Sequence, residues 1–153
     1  MATSILELIA QNLKTTLQGI TTGAGYENTV ARVSRPGIDP ASNQMTDKAL
    51  VLAQDSSTID ESRPQQHRRR IQTFIIQVTI VESSTTALDA RLNSLIADIE
   101  KALMVDVHRN GYANNTIVTG WSFFEVDGTA NTRVALVNVD VEYTHLVANP
   151  FSQ

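Results

Sequence analysis

Two segments alternate in polarity every second residue, and they constrain the chain more than any other feature. In RIQTFIIQVTIVE, residues 70 to 82, Phe74, Ile76, Val78 and Ile80 fall on one side, and Thr73, Gln77 and Thr79 dominate the other. In TRVALVNVDVEYTH, residues 132 to 145, Ala135, Val137, Val139, Val141 and Tyr143 share one side, and Asn138, Asp140, Glu142 and Thr144 share the other. A period of two with β-branched enrichment describes extended chain with one buried face. Two such strands need something apolar to cover that face.

Two amphipathic helices are available. Ile5, Leu6, Leu8, Ile9, Leu13 and Leu17 recur at helical spacing over residues 5 to 18, with Ser4 and Glu7 in a capping-box pattern and Gly19 as a terminator. Leu88, Leu92, Leu95, Ile96, Ile99 and Leu103 form the stripe of a longer helix, about 87 to 104, which Thr85 or Thr86 could cap. Asp89, Arg91, Asp98, Glu100 and Lys101 are placed on its wet side.

The connections carry turn chemistry. TTGAGYENT reads as a loop, TVARVSR (29 to 35) as a short strand, and Pro36, Gly37 and Pro40 as a turn. KALVLA, 48 to 53, is a strand by elimination. QDSSTIDESRPQQHRRR, 54 to 70, has one aliphatic residue, Ile59, and reads as a long exposed loop. TIVTGWSFFEVD reads as a strand with Gly120 as a bulge or close-packing point. Asp127-Gly128 then makes a turn into the last strand, which predicts an antiparallel hairpin. The expected fold class is α+β: one mostly antiparallel sheet of about four to five strands with two helices packed on one face.

Composition narrows the function classes. A chain of 153 residues is expected to form a single domain over 1 to 153. Its 42% hydrophobic content argues against bulk disorder, and its absence of Cys excludes disulfides, thiolate metal sites and Cys nucleophiles. The net charge of −4 gives no reason to expect a general nucleic-acid binder. The N-terminus lacks a positive n-region and an unbroken apolar core, and no stretch is long and apolar enough to span a bilayer, so no membrane partner is expected.

Few residue groupings suggest chemistry. His67, Arg68, Arg69 and Arg70 form the one charge cluster, a candidate contact for a partner or for DNA, since Arg forms bidentate hydrogen bonds with phosphate or carboxylate. Predicted exposed, the three arginines should be replaceable by Ala without loss of fold. His67, His108 and His145 lie far apart, and Asp106 and His108 are placed as helix terminators. Gly23 and Gly25 lack the rest of a phosphate-loop pattern and a preceding strand, so they read as a flexible connector. Asp140 and Glu142 alternate on one strand face; without a third ligand they form part of a polar sheet face with Thr73, Gln77, Thr79 and Asn138. That face points away from the helices, toward water or a partner chain. Catalytic, metal and cofactor sites are expected to be absent.

The order and spacing of the second half are similar to a known family. A helix with Leu92, Leu95, Asp98, Ile99, Ala102, Leu103 and Asp106, then Gly111, then a strand pair closing on Val139, Val141, Tyr143 and Pro150, resembles the tail terminator proteins of tailed phages, also called tail completion or minor tail protein U-like proteins. The opening helix and the Gly25-Tyr26 step into a strand match as well. Segment 54 to 70 is where the chain departs from the pattern. The resemblance implies a virion structural protein, not an enzyme: a ring, commonly a hexamer, on the head-proximal end of the tail tube. It would stop tube growth, present a surface to the head connector or stopper, and let genomic DNA pass through its lumen. It would assemble in the host cytoplasm. Residues 54 to 70 could touch the tube or sheath. Competing readings are another neck ring protein (head-completion, stopper or tube-like) or a small metal-dependent hydrolase using Asp140, Glu142 and a histidine.

Overall fold

The computed structural model of the chain describes residues 2–36, 46–60, 66–82, 85–126 and 131–151. The elements are α1 (Ile5–Gln18), a 3-10 turn (Thr22–Ala24), β1 (Arg32–Ser34), β2 (Ala49–Asp60), β3 (His67–Val81), α2 (Thr85–Val105), β4 (Asn115–Glu125) and β5 (Thr132–Leu146). They build the expected α+β fold. The five-stranded sheet has the order β1-β2-β3-β5-β4; β1 lies parallel to β2, and every other pair is antiparallel. The expected turns at 37 to 40 and 127 to 128, and the capping side chains of Thr85 and Thr86, lie outside the described residues.

Alternation decides which face is buried. Leu50 and Leu52 of β2, Phe74, Ile76, Val78 and Ile80 of β3, and Ala135, Val137, Val139 and Val141 of β5 join the apolar stripes of both helices in one core. Each fully buried aliphatic or aromatic side chain there contributes about 1.5–3 kcal/mol. Truncating a central one such as Phe74 to Ala is expected to cost about 3–5 kcal/mol. The axis of the sheet is the β3–β5 pair, in unbroken register from His67↔Leu146 to Val81↔Thr132.

The segment expected to be a loop over 54 to 70 is largely strand, a correction to the sequence reading. β2 runs on to Asp60 and β3 begins at His67, with a bulge between Gln54 and Ser57. Residues 54 to 59 are exposed, as expected. A strand with both faces wet has no hydrophobic period to detect. Here backbone pairing carries β2 along β3, with Ser57↔Gln72 and Ile59↔Arg70 continuing a ladder that β3 already makes with β5.

The helix ends follow local chemistry. Ser4 Oγ accepts the Glu7 N–H at 3.2 Å, which is half of the capping box. The Glu7 carboxylate goes instead to Arg35 and Gln11. After Val105, Asp106 accepts the N–H groups of His108 (3.1 Å) and Asn110 (2.6 Å), the helix-terminating role expected of it.

Candidate functional site

β4 is an edge strand, and it exposes the largest apolar side chains of the sheet. Ile117 is 52% exposed, Trp121 47%, Phe123 50% and Phe124 48%. The register explains how a strand comes to do this. Before the bulge between Val118 and Gly120, even-numbered residues face the helices: Thr116 lies opposite Val141 and Val118 opposite Val139. After it, odd-numbered residues do, with Trp121 opposite Val137 and Phe123 opposite Ala135. Gly120, at φ +158°, sits where the phase changes, the bulge role expected of it. Trp121 and Phe123 thus lie on the helix side of the sheet but at its uncovered margin. Phe124, opposite Val134, takes the other side. Phe123 and Phe124 line a groove of about 300 Å³ with Asp89, Asn93, Glu125 and Arg133. Arg133 bridges Glu125 at 3.0 Å and Asp89 at 3.5 Å, leaving both carboxylates about four-fifths exposed.

No site role was attached to β4 in the sequence reading. A signal existed: Trp121, Phe123 and Phe124 crowd into four positions of a chain only 5% aromatic. Whether that cluster is core or surface depends on strand order and on the bulge, and periodicity reports neither.

Alternation splits the arginine cluster. His67 and Arg68 are exposed, with Arg68 held in the sheet by its backbone pairing to His145. Arg69 turns to the outward face, where it pairs with Glu142. Arg70 turns to the helix side, where its Nε donates to His145 Nε2 at 3.0 Å. His145 is buried and its Nδ1 lies 2.9 Å from the Leu146 carbonyl, so it serves the structure. Tyr143 stacks near it, and burial raises its phenol pKa above the ordinary value, with Arg70 opposing weakly.

The polar residues expected to share a face do so. Thr73, Gln77, Thr79, Asn138, Asp140 and Glu142 lie on the side of the sheet away from the helices. Thr73 Oγ1 donates to Asp140 at 2.6 Å, and Glu142 accepts from Arg69 and from Asn114. The two carboxylates are therefore each engaged separately. Thr79 is buried, and Val51, Ala53, Ile75, Gln77 and Leu136 line a shallow groove of about 440 Å³ with Asp55 on this face. No three His, Asp or Glu residues come together in a metal-holding group among the described residues.

Three features differ from the sequence expectation or lie beyond it. Asp98, assigned to the wet side of α2, is buried and accepts from the N–H of Glu27 (3.2 Å) and from the N–H and side-chain amide of Asn28 (2.8 and 2.9 Å). Lys101 donates to the Gly25 carbonyl at 2.7 Å and sits 5.0 Å over the Tyr26 ring. The glycine segment is therefore a fastened loop and not a flexible connector. Arg109, in the turn that follows α2 and without any role expected from sequence, is wholly buried: its guanidinium donates to Thr116 Oγ1 at 3.1 Å and to the Leu103 carbonyl, with Thr16 and Asn12 at 3.4 and 3.5 Å.

No family model and no curated protein matches the sequence. Among solved structures, a chain from the virion of a native gene transfer agent particle shares the fold, with a TM-score of 0.57 over 89% of this chain and 94% of that one, at 12% identity.

Proposed function

We propose that this chain is a structural subunit of a phage-like virion, and that it acts as a tail terminator. In this reading several copies, commonly six in such proteins, close a ring on the head-proximal end of the tail tube. The ring stops tube polymerisation, docks the head connector or stopper, and leaves a lumen for genomic DNA. The supporting observation is the fold shared with a gene transfer agent virion chain over nearly the whole length of both. The edge strand with exposed aromatics agrees with it, because subunits of a ring need a surface to bury. No catalytic role, metal or cofactor is part of the proposal. The copies would assemble in the host cytoplasm before joining the tail.

The test is negative-stain imaging and mass measurement of the purified protein, alone and with tail tubes. Rings seated on one tube end and a fixed tube length are expected; a monomer that neither binds tubes nor limits their growth overturns the reading. The same likeness supports a head-completion, stopper or tube-like subunit equally, since each of these is also a component of a virion. A labelled copy in the particle separates these by position: a label at the capsid vertex, away from the tail, favours that alternative.

A further inference from the structure

The two margins of the sheet differ in a way that suits them to each other. One margin is β4, with Trp121 and Phe123 half-exposed on the helix side and the carboxylates of Asp89 and Glu125 beside them. The other is the arm of β2 beyond Val51. β1 covers only Ala49 to Val51, so the outer edge of the arm has no strand beside it among the described residues. The arm exposes Ile59, and next to it β3 exposes His67 and Arg68. Asp55 lies on the opposite, outward face. One margin is aromatic, with two carboxylates sharing the single cation Arg133; the other carries the exposed, basic Arg68.

Strand direction allows the two to join. β2 is antiparallel to β3, β3 to β5, and β5 to β4, so β4 runs opposite to β2. Placing β4 of one copy beside the β2 arm of the next continues the alternation and makes an antiparallel pair. An edge left bare is a template for such pairing, and an exposed apolar edge is one that proteins normally avoid. The arm is within two residues of the length of β4. Ser57 and Ile59 lie opposite Gln72 and Arg70, on the helix side, which is the side that Trp121 and Phe123 occupy. Setting Ile59 opposite Phe123 brings Arg68 level with Trp121, two strand spacings away, about 9.6 Å. An extended arginine side chain and the indole leaning toward it together close that gap and can stack.

We infer that the aromatic edge of β4 is the docking site for the β2–β3 arm of a second copy of this chain, joined head to tail by antiparallel strand addition. Different surfaces meet, so the contact does not end at a dimer and can repeat until a ring closes. This rests on the ring reading above and names the surfaces that close the ring.

The chain has no native Cys, so introduced pairs report the contact cleanly. Full-length protein carrying Phe123→Cys with Ile59→Cys, or with Ser57→Cys for a neighbouring register, should form an oxidised ladder above the dimer. Either single substitution should not. Phe123→Lys should weaken assembly of the unlinked protein by roughly ten- to a hundredfold. Arg68→Ala and Trp121→Ala should each weaken it about tenfold, and the double variant little more than either. Circular dichroism checks that the variants stay folded, as expected for half-exposed or exposed positions.

Dimers from Phe123→Cys alone would mean that β4 pairs with β4, and would overturn the inference. So would a wild-type protein that is monomeric at every concentration tested, or assembly indifferent to Phe123→Lys and Arg68→Ala. Tube binding by a ring that ignores these substitutions sinks this interface and keeps the proposed function. A ring that obeys them but ignores tubes does the reverse.

Discussion

Asp98 on α2 holds Asn28 at both its backbone N–H and its side-chain amide, at 2.8 and 2.9 Å. With a further bond from the Glu27 N–H, this carboxylate fastens the connection between α1 and β1 onto the second helix. A buried carboxylate is tolerated where several N–H groups converge on it, because each bond is charge-assisted.

Asp98→Ala removes the acceptor and leaves the buried Asn28 backbone N–H and side-chain amide without it, along with the more exposed Glu27 N–H. The expected loss is about 2–3 kcal/mol in urea unfolding. Asp98→Asn keeps one acceptor oxygen and should lose less. Equal stability of wild type and Asp98→Ala would show that the loop is held by something else.

Glu7 and Arg35 form a bidentate pair at 2.7 and 3.0 Å. The Arg35 hydrogen bonds hold the Glu7 carboxyl below its ordinary value; partial burial opposes this, and Gln11 and the charge of Arg35 add to it. A carboxyl with its folded pKa depressed stabilises the fold above its unfolded pKa and loses that contribution as pH falls through the folded value. Wild type should therefore exceed Glu7→Gln by up to about 1 kcal/mol at neutral pH. Stability curves of the two should begin to converge as pH falls below about 4.5, the ordinary value, and meet below the depressed folded value. A difference that is constant down to pH 2 would contradict the assignment.

Arg109 is a cation enclosed by neutral acceptors. Burial lowers its pKa, and Asp106 raises it slightly. Arg109→Ala should cost about 3 kcal/mol or more, combining a cavity with orphaned acceptors. Arg109→Met refills the space without the donors and should recover part of the loss, so the gap between the two variants measures packing. Hydrogen exchange over 103 to 116 is expected to speed up in both.

Gly111 and Gly23 separate backbone strain from space. A Cβ at either would meet no atom within 4 Å, but Gly111 has φ +85° and Gly23 does not adopt positive φ. Gly111→Ala should cost about 1 kcal/mol, and Gly23→Ala should be neutral or stabilising by a few tenths to about 1 kcal/mol. Thermal denaturation of the pair decides it.

The arginines of the hairpin arm should not behave alike. Arg68→Ala should leave stability within about 0.5 kcal/mol. Arg70→Ala strips the donor from the buried His145 Nε2 and should cost about 1 kcal/mol. Replacing all three together therefore does not test a surface patch alone. If Arg68→Ala destabilises the fold as much as Arg70→Ala, the proposed division is wrong.

Local sequence rules determined both helices, the capping role of Ser4, the hairpin of β4 with β5, and the buried faces of β3 and β5. In each, burial on one side writes a period of 3.6 or 2 into the chain, and the signal is complete within about fifteen residues. Three things were settled only in the tertiary structure. The arm over 54 to 60 is strand because β3 offers it a ladder, and main-chain bonds leave no side-chain pattern. Asp98 and Arg109 are buried because residues 70 and 97 positions away reach them, and a charged residue on a helix or in a turn ordinarily signals solvent. The aromatics of β4 are exposed because the strand lies at the sheet edge and a bulge rephases it, and strand order is a long-range property that no local period encodes.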